Sequence, residues 1–138
     1  MSALPRVERD GASAAFFDAA ARDELLLRRA PDGRVLGPQD DVDARLGSAD
    51  PDSDTVVASG DATLVSWAVV HQAPLPWLAD AVPYVCAVVE LAEGPWLTVR
   101  LVDAEAGALS AGQPLRVRFV RPDPADGPGE ALAVFAPA

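Results

Sequence analysis

Apolar residues gather in five clusters between Ala62 and Phe135, and their spacing is that of strands. Thr63–His71, Tyr84–Leu91, Trp96–Val102, Leu115–Arg121 and Ala131–Phe135 are rich in β-branched, aromatic and aliphatic residues, the side chains that suit a pleated, half-buried surface. In the third and fourth clusters the period is two. Leu97, Val99 and Leu101 fall on one side, while Trp96, Thr98 and Arg100 fall on the other. Five short strands, expected to be antiparallel, predict a small closed barrel, because closure removes the unpaired edges of an open sheet. A five-stranded barrel is the OB architecture, which points to binding and not to catalysis.

Ahead of the barrel the pattern changes. Residues 13–29 open as a helix: Ser13 is placed to cap it, alanine dominates, and Phe16 or Phe17 with Ala20 gives helical spacing. Leu25–Leu27 can already be extended, with the helix ending near Asp23. Pro31, Gly33, Gly37, Pro38, Gly47 and Pro51 then interrupt any regular element, and six aspartates crowd positions 40–54. The chain is therefore expected to comprise a helical segment (1–29), an irregular connector (30–55) and the barrel (56–138). Within the barrel, Gln72–Pro83 is too long for a tight hairpin and too apolar for a plain solvent loop. Asp103–Pro114 has room for one helical turn around Ala104–Leu109.

Length and charge narrow the function. A chain of 138 residues buries roughly two-thirds of its unfolded surface and needs neither disulfide nor metal to fold. No apolar run approaches the ~20 residues of a membrane span, and Met1–Arg6 lacks the apolar core of a signal peptide. The expectation is a cytoplasmic protein. Its net charge is −10 and all 11 of its cations are arginine, so Schiff-base chemistry on a lysine is excluded. The acidic total argues against nucleic acid as partner. Arg100, Arg116, Arg118 and Arg121 nevertheless concentrate on the third and fourth strands, where a local basic face can form.

Chemistry-bearing residues are few. Cys86 is the single cysteine and is expected to be a small buried hydrophobe. Asp50, Asp52, Asp54 and Asp61 copy four positions of a calcium loop, yet Thr55 stands where the sharp turn needs glycine and Pro51 intrudes; a solvated acidic loop is the better reading. His71 is the only histidine and has no nucleophile at readable spacing. Glu90 and Glu93 flank a short turn and are expected to be solvated. Trp67 is assigned to the barrel core, whereas Trp77, in a Pro-rich loop, is a candidate partner anchor. Phe16 and Phe17 are adjacent on the helix, so one of them is expected to leave the core side and serve the same purpose.

The series Phe16–Arg29, Ser59–His71, Pro83–Gly94 and Gly112–Phe119 resembles the domain of unknown function thirty-five family. Those proteins join an N-terminal helix, a rubredoxin-like zinc ribbon and a C-terminal OB-fold. The resemblance implies an accessory role beside a thiolase-like enzyme of acyl-CoA metabolism, including lipid or polyketide pathways. The partner carries the nucleophile, and the OB domain completes the assembly and contacts the CoA thioester. On that reading Phe16, Phe17 and Trp77 meet the partner, Tyr84, Arg100, Arg116 and Arg118 meet the ligand, and no residue is catalytic. One departure matters. The family's two Cys-x-x-Cys-Gly knuckles appear here as Ala30-Pro31-Asp32-Gly33 and Asp43-Ala44-Arg45-Leu46-Gly47. Structural zinc needs four ligands, so a degenerate, metal-free ribbon and no bound zinc are expected. An independent OB module for nucleic acid or oligosaccharide is the alternative, and a free-standing CoA-thioester lyase using His71 and Glu90 is a third reading.

Overall fold

The computed structural model describes residues 4, 6–30, 32–38, 42–43, 47–48 and 55–138. Among the described residues one α-helix precedes ten strands: α1 (Ala14–Ala21), β1 (Leu26–Arg29), β2 (Val35–Leu36), β3 (Val42–Asp43), β4 (Gly47–Ser48) and β5 (Thr55–Val57) come first. The barrel strands β6 (Asp61–Val70), β7 (Tyr84–Leu91), β8 (Trp96–Leu101), β9 (Pro114–Val120) and β10 (Leu132–Pro137) follow. The fold is mostly β. No helix among the described residues is long and apolar enough to cross a membrane.

The barrel closes in the order β10-β8-β7-β6-β9. Four of its seams are antiparallel, and the β8–β10 seam, at Leu101 and Phe135, is parallel. This corrects the all-antiparallel expectation, and the reason is parity. A ring of five strands cannot reverse direction at every seam, so one parallel contact is forced. Phe135, Leu64, Leu91, Leu115 and Val89 fill the interior at 2% exposure or less. Between Leu64 and Ser66 a β-bulge inserts Val65, which switches the inward face from Ala62 and Leu64 to Trp67 and Val69. Trp67 thereby reaches the core, as its side of the strand alone would not have arranged.

Before the barrel, the helix ends at Ala21, close to the end expected near Asp23. Asp23 adopts φ 62°, a left-handed C-terminal turn, and Leu26–Arg29 become β1, pairing with β2 on one side and β5 on the other. Leu25 and Leu27 are buried in the same core as the barrel interior, so this small sheet packs on the barrel. Ser13 holds the N-cap position of α1, as expected, but its side chain makes no capping hydrogen bond to the helix. Asp10 closes the turn that leads into the helix: its carboxylate accepts from the Ser13 amide at 2.8 Å and the Ser13 hydroxyl at 2.7 Å, while the Asp10 amide donates to the Ser13 hydroxyl oxygen at 3.0 Å, a reciprocal arrangement like a capping box. The Ser13 bond holds the Asp10 carboxyl below its ordinary range.

Candidate binding groove

Strand alternation prepares a site on the outside of the barrel. Val85, Leu101 and Phe135 belong to the interior core, so Tyr84, Arg100 and Val134, one position before each, are turned outward. Alpha-helix α1 and the N-terminal segment lie over this face. Arg9 ties both to the barrel, donating to Asp18 at 2.5 Å and to Glu130 at 2.6 Å, and Arg6 reaches the Pro128 carbonyl at 3.1 Å. At the far end of α1, Arg121 donates to the Ala21 carbonyl at 2.9 Å and to Asp23 at 2.8 Å. The helix is pinned at both ends.

Between helix and barrel runs an open groove of about 420 Å³. Phe16, Phe17, Trp77, Tyr84 and Arg100 all line it, together with Leu78, Leu132 and Val134 and, from the N-terminal segment, Leu4 and Val7. Five of the seven residues singled out from sequence thus converge on one place, although they were assigned to two different roles. Trp77, in a 3₁₀ turn over Pro76–Leu78, is 52% exposed and stands at the rim beside exposed Leu75.

The phenylalanines behave differently from expectation. Neither points away from the protein: Phe17 is buried at 8% exposure, and Phe16 is half-buried against the main core. They meet edge to face at 5.4 Å. Adjacent aromatics can both be covered because α1 is flanked by barrel core on one side and by the groove on the other. Arg100 sits over the Tyr84 ring at 4.4 Å, a cation–π contact. Partial burial lowers the Arg100 pKa, and a guanidinium still remains charged.

Arg116 and Arg118 lie elsewhere. With Arg121, Ser59 and Asp23 they line a second, more polar cleft of about 440 Å³. Arg116 pairs with Asp61 at 2.6 Å across β9 and β6, and Arg118 pairs with Asp103 after β8. Each cation there already faces an aspartate, through exposed pairs of the kind worth ~1 kcal/mol or less.

Other candidates are dispersed. Cys86 is half-exposed on the outer face of β7, opposite Arg100 and Ala68, because alternation gives the interior to Val85 and Ala87; the buried-hydrophobe expectation is corrected. Glu90 accepts from the Trp96 indole at 2.7 Å. His71 follows Val70, which pairs with Tyr84, whereas Glu90 lies six residues farther along β7, ~20 Å at about 3.3 Å per residue. They cannot share a substrate atom. Glu93 is half-buried, not solvated: it accepts from the Ser59 amide at 3.0 Å while its second oxygen is enclosed without a partner among the described residues.

At the first knuckle the described residues do not supply a zinc site. Ala30 and Gly33 offer no donor, and the turn between β1 and β2 is closed instead by Gly33 donating to the Ala30 carbonyl at 2.9 Å and by Asp32 accepting from the Arg34 amide at 3.0 Å. Leu46, the Asp43 side chain and Asp50, Asp52 and Asp54 lie outside the described residues. Among the described residues no cluster of three or more His, Cys, Asp or Glu is arranged to hold a metal.

Leu132, Val134, Leu4 and Val7 escaped the sequence reading. A signal existed for the first two: Ala131–Ala136 is apolar at every position, which in a strand means that both faces are covered.

Comparison with known proteins agrees with this architecture. Residues 55–120 match the family described as the ChsH2 C-terminal OB-fold domain. A chain of a solved Ltp2-ChsH2(DUF35) aldolase superposes with TM-score 0.73 at 33% identity, covering 97% of this chain and 98% of that one. This chain belongs to the DUF35 family. A DUF35 protein of unknown function from Sulfolobus solfataricus, 14% identical over 80% of this chain and 78% of its own, shares the fold at TM-score 0.54. Among curated sequences, a probable enoyl-CoA hydratase alpha subunit from Thermomonospora curvata is 34% identical over 97% of this chain. The 3-oxo-4,17-pregnadiene-20-carboxyl-CoA hydratase alpha subunit of Mycobacterium tuberculosis is 32% identical over 84%. The alignments span only 39% and 35% of those two curated relatives.

Proposed function

We propose that this DUF35 chain is a non-catalytic accessory subunit of a thiolase-superfamily enzyme, be it thiolase, acyltransferase or retro-aldolase, acting on acyl-CoA or related acyl thioesters. The observation that carries the proposal is the end-to-end match to a chain of an aldolase whose name joins two components. The curated relatives, alpha subunits of CoA-thioester hydratases by name, support the same class of substrate. Chemistry points the same way, since His71 and Glu90 are too far apart to act together and Cys86 lies on an outer strand face. The companion supplies the nucleophile. Exposed Trp77 and Leu75 supply apolar contact of the kind that anchors interfaces, with Phe16 and Phe17 as the support behind them. Tyr84 and Arg100, and the Arg116–Arg118 cleft, are the places where acidic groups of the ligand are met. Paired aspartates on the second cleft leave no continuous basic track of the sort single-stranded nucleic acid requires.

The test is co-expression with the thiolase-like companion. The wild-type pair should co-elute, the isolated chain should turn over no acyl-CoA, and Trp77→Ala should weaken association by ~2 kcal/mol or more. Turnover by the chain alone, lost on His71→Ala, would overturn the accessory reading.

A further inference from the structure

We propose that two copies of this chain pair through the open edge of β6, antiparallel about a twofold axis at Ala68, so that the barrel sheet of one copy runs on into that of the other. The observation is a change along one strand. Over Asp61–Thr63, β6 is paired with β9, and the Leu64 amide and carbonyl still bond to Gln113 and Gly112. From Ser66 to Val70 its strand partner among the described residues is β7 alone. Burial changes at the same place. Inward-facing Ala62 and Leu64 are 5% and 1% exposed, whereas Trp67 and Val69, on the inner face beyond the bulge, are only half-buried. Core-facing side chains left half open beside an unpaired strand edge are what a further strand would cover.

The residues of the edge indicate which strand that is. Solvent-facing edges are normally guarded by lysine, proline or an inward charge. Here no Asp, Glu, Lys or Arg occurs from Ala62 to Ala79, and the first proline after Ala62 is Pro74. The chain as a whole carries −10, so two copies repel over most of their surfaces, and this uncharged stretch is where they can approach. Self-pairing also fits residue by residue. A twofold contact sets one patch against itself. With Ala68 on the axis, Ser66 of one copy stands opposite Val70 of the second on the outer face. On the inner face Trp67 stands opposite Val69, and the symmetry makes each match twice. Aromatic against β-branched is a favourable cross-strand pair, and exposed Ser66 and Ala68 put no bulk between the sheets. Nothing in the chain selects the side chains of a foreign strand at this edge, whereas β6 matches its own.

Sedimentation of the full chain alone, over a concentration series in low and in high salt, tests it. A dimer should form, and more completely in high salt, which screens the repulsion between two acidic chains. Ala68→Lys sets two ammonium groups side by side at the axis and should leave a monomer, since like charges directly opposite destabilise a strand pair. Thr98→Lys, at an exposed position on β8 two strands from the edge, should leave the dimer intact. Circular dichroism checks that each variant folds, and Ser66→Lys takes the place of Ala68→Lys if that variant does not. A monomer under all conditions, a dimer that survives the lysine at the edge, or one that Thr98→Lys abolishes would each overturn the proposal. If the chain alone is monomeric and Ala68→Lys instead abolishes co-elution with the companion, the edge receives the companion and self-pairing is wrong. Co-elution of the wild-type pair reports separately on the accessory role, so the two readings fail independently.

Discussion

Arg100 lies over the ring of Tyr84, its guanidinium carbon 4.4 Å from the ring centroid. The two are diagonal neighbours on the outer face of the barrel, since Arg100 pairs directly with Cys86. This pair links the groove's apolar wall to its charge: the ring shields one face of the cation, and Leu78, Leu132 and Val134 line the same groove. Beside it, the two residues that looked equivalent from sequence, Phe17 and Trp77, divide into a buried wall and an exposed rim.

That division has a measurable consequence. Phe17→Ala removes a buried ring and should lower unfolding stability by ~3 kcal/mol or more. Trp77→Ala removes a side chain that is 52% exposed and should change stability by about 1 kcal/mol or less. Urea denaturation of the two variants checks this; equal losses would place Trp77 in the core.

Gly60 admits no side chain. Its φ is +90° and a Cβ there would stand 2.7 Å from Val117 Cγ1, while its carbonyl accepts from the Val117 amide at 2.8 Å. Gly60→Ala should therefore cost about 2 kcal/mol or more, combining a left-handed backbone penalty with overpacking against β9. Thermal unfolding should show a clear drop, and an unchanged midpoint would contradict the close approach.

The Arg9 hydrogen bond holds the Glu130 carboxyl below the usual glutamate range. A depressed folded-state value means that the pair's contribution is complete above the unfolded glutamate pKa and is lost as pH falls through the lower folded value. Stability of the wild type should thus fall more on acidification through that window than stability of Glu130→Gln. Chemical denaturation across an acid series reads the difference, and parallel curves would refute it.

Purified protein should contain no stoichiometric zinc, because Ala30 and Gly33 carry no donor and the only cysteine, Cys86, lies on the barrel. Elemental analysis giving about one zinc per chain would require ligands other than these.

Much of the barrel was legible from residues alone. Runs of β-branched, aromatic and aliphatic residues located all five strands, and the bounds expected for Tyr84–Leu91 coincide with those of β7, because such side chains suit a pleated, half-buried surface. The alternation of Leu97, Val99 and Leu101 against Trp96, Thr98 and Arg100 is likewise seen in β8, where Leu97 and Leu101 are buried. Residue types also marked the aromatics and arginines of the groove. What alternation cannot write is a relation between strands distant in sequence. The parallel β8–β10 seam follows from closing an odd ring, and Trp67 reaches the core only through the bulge at Val65. Nor does local pattern say that Phe17, Trp77, Tyr84 and Arg100 meet in one groove while Arg116 and Arg118 meet aspartates in another. Side-chain type and period belong to the chain, whereas convergence depends on which strand edges pair and where α1 is pinned.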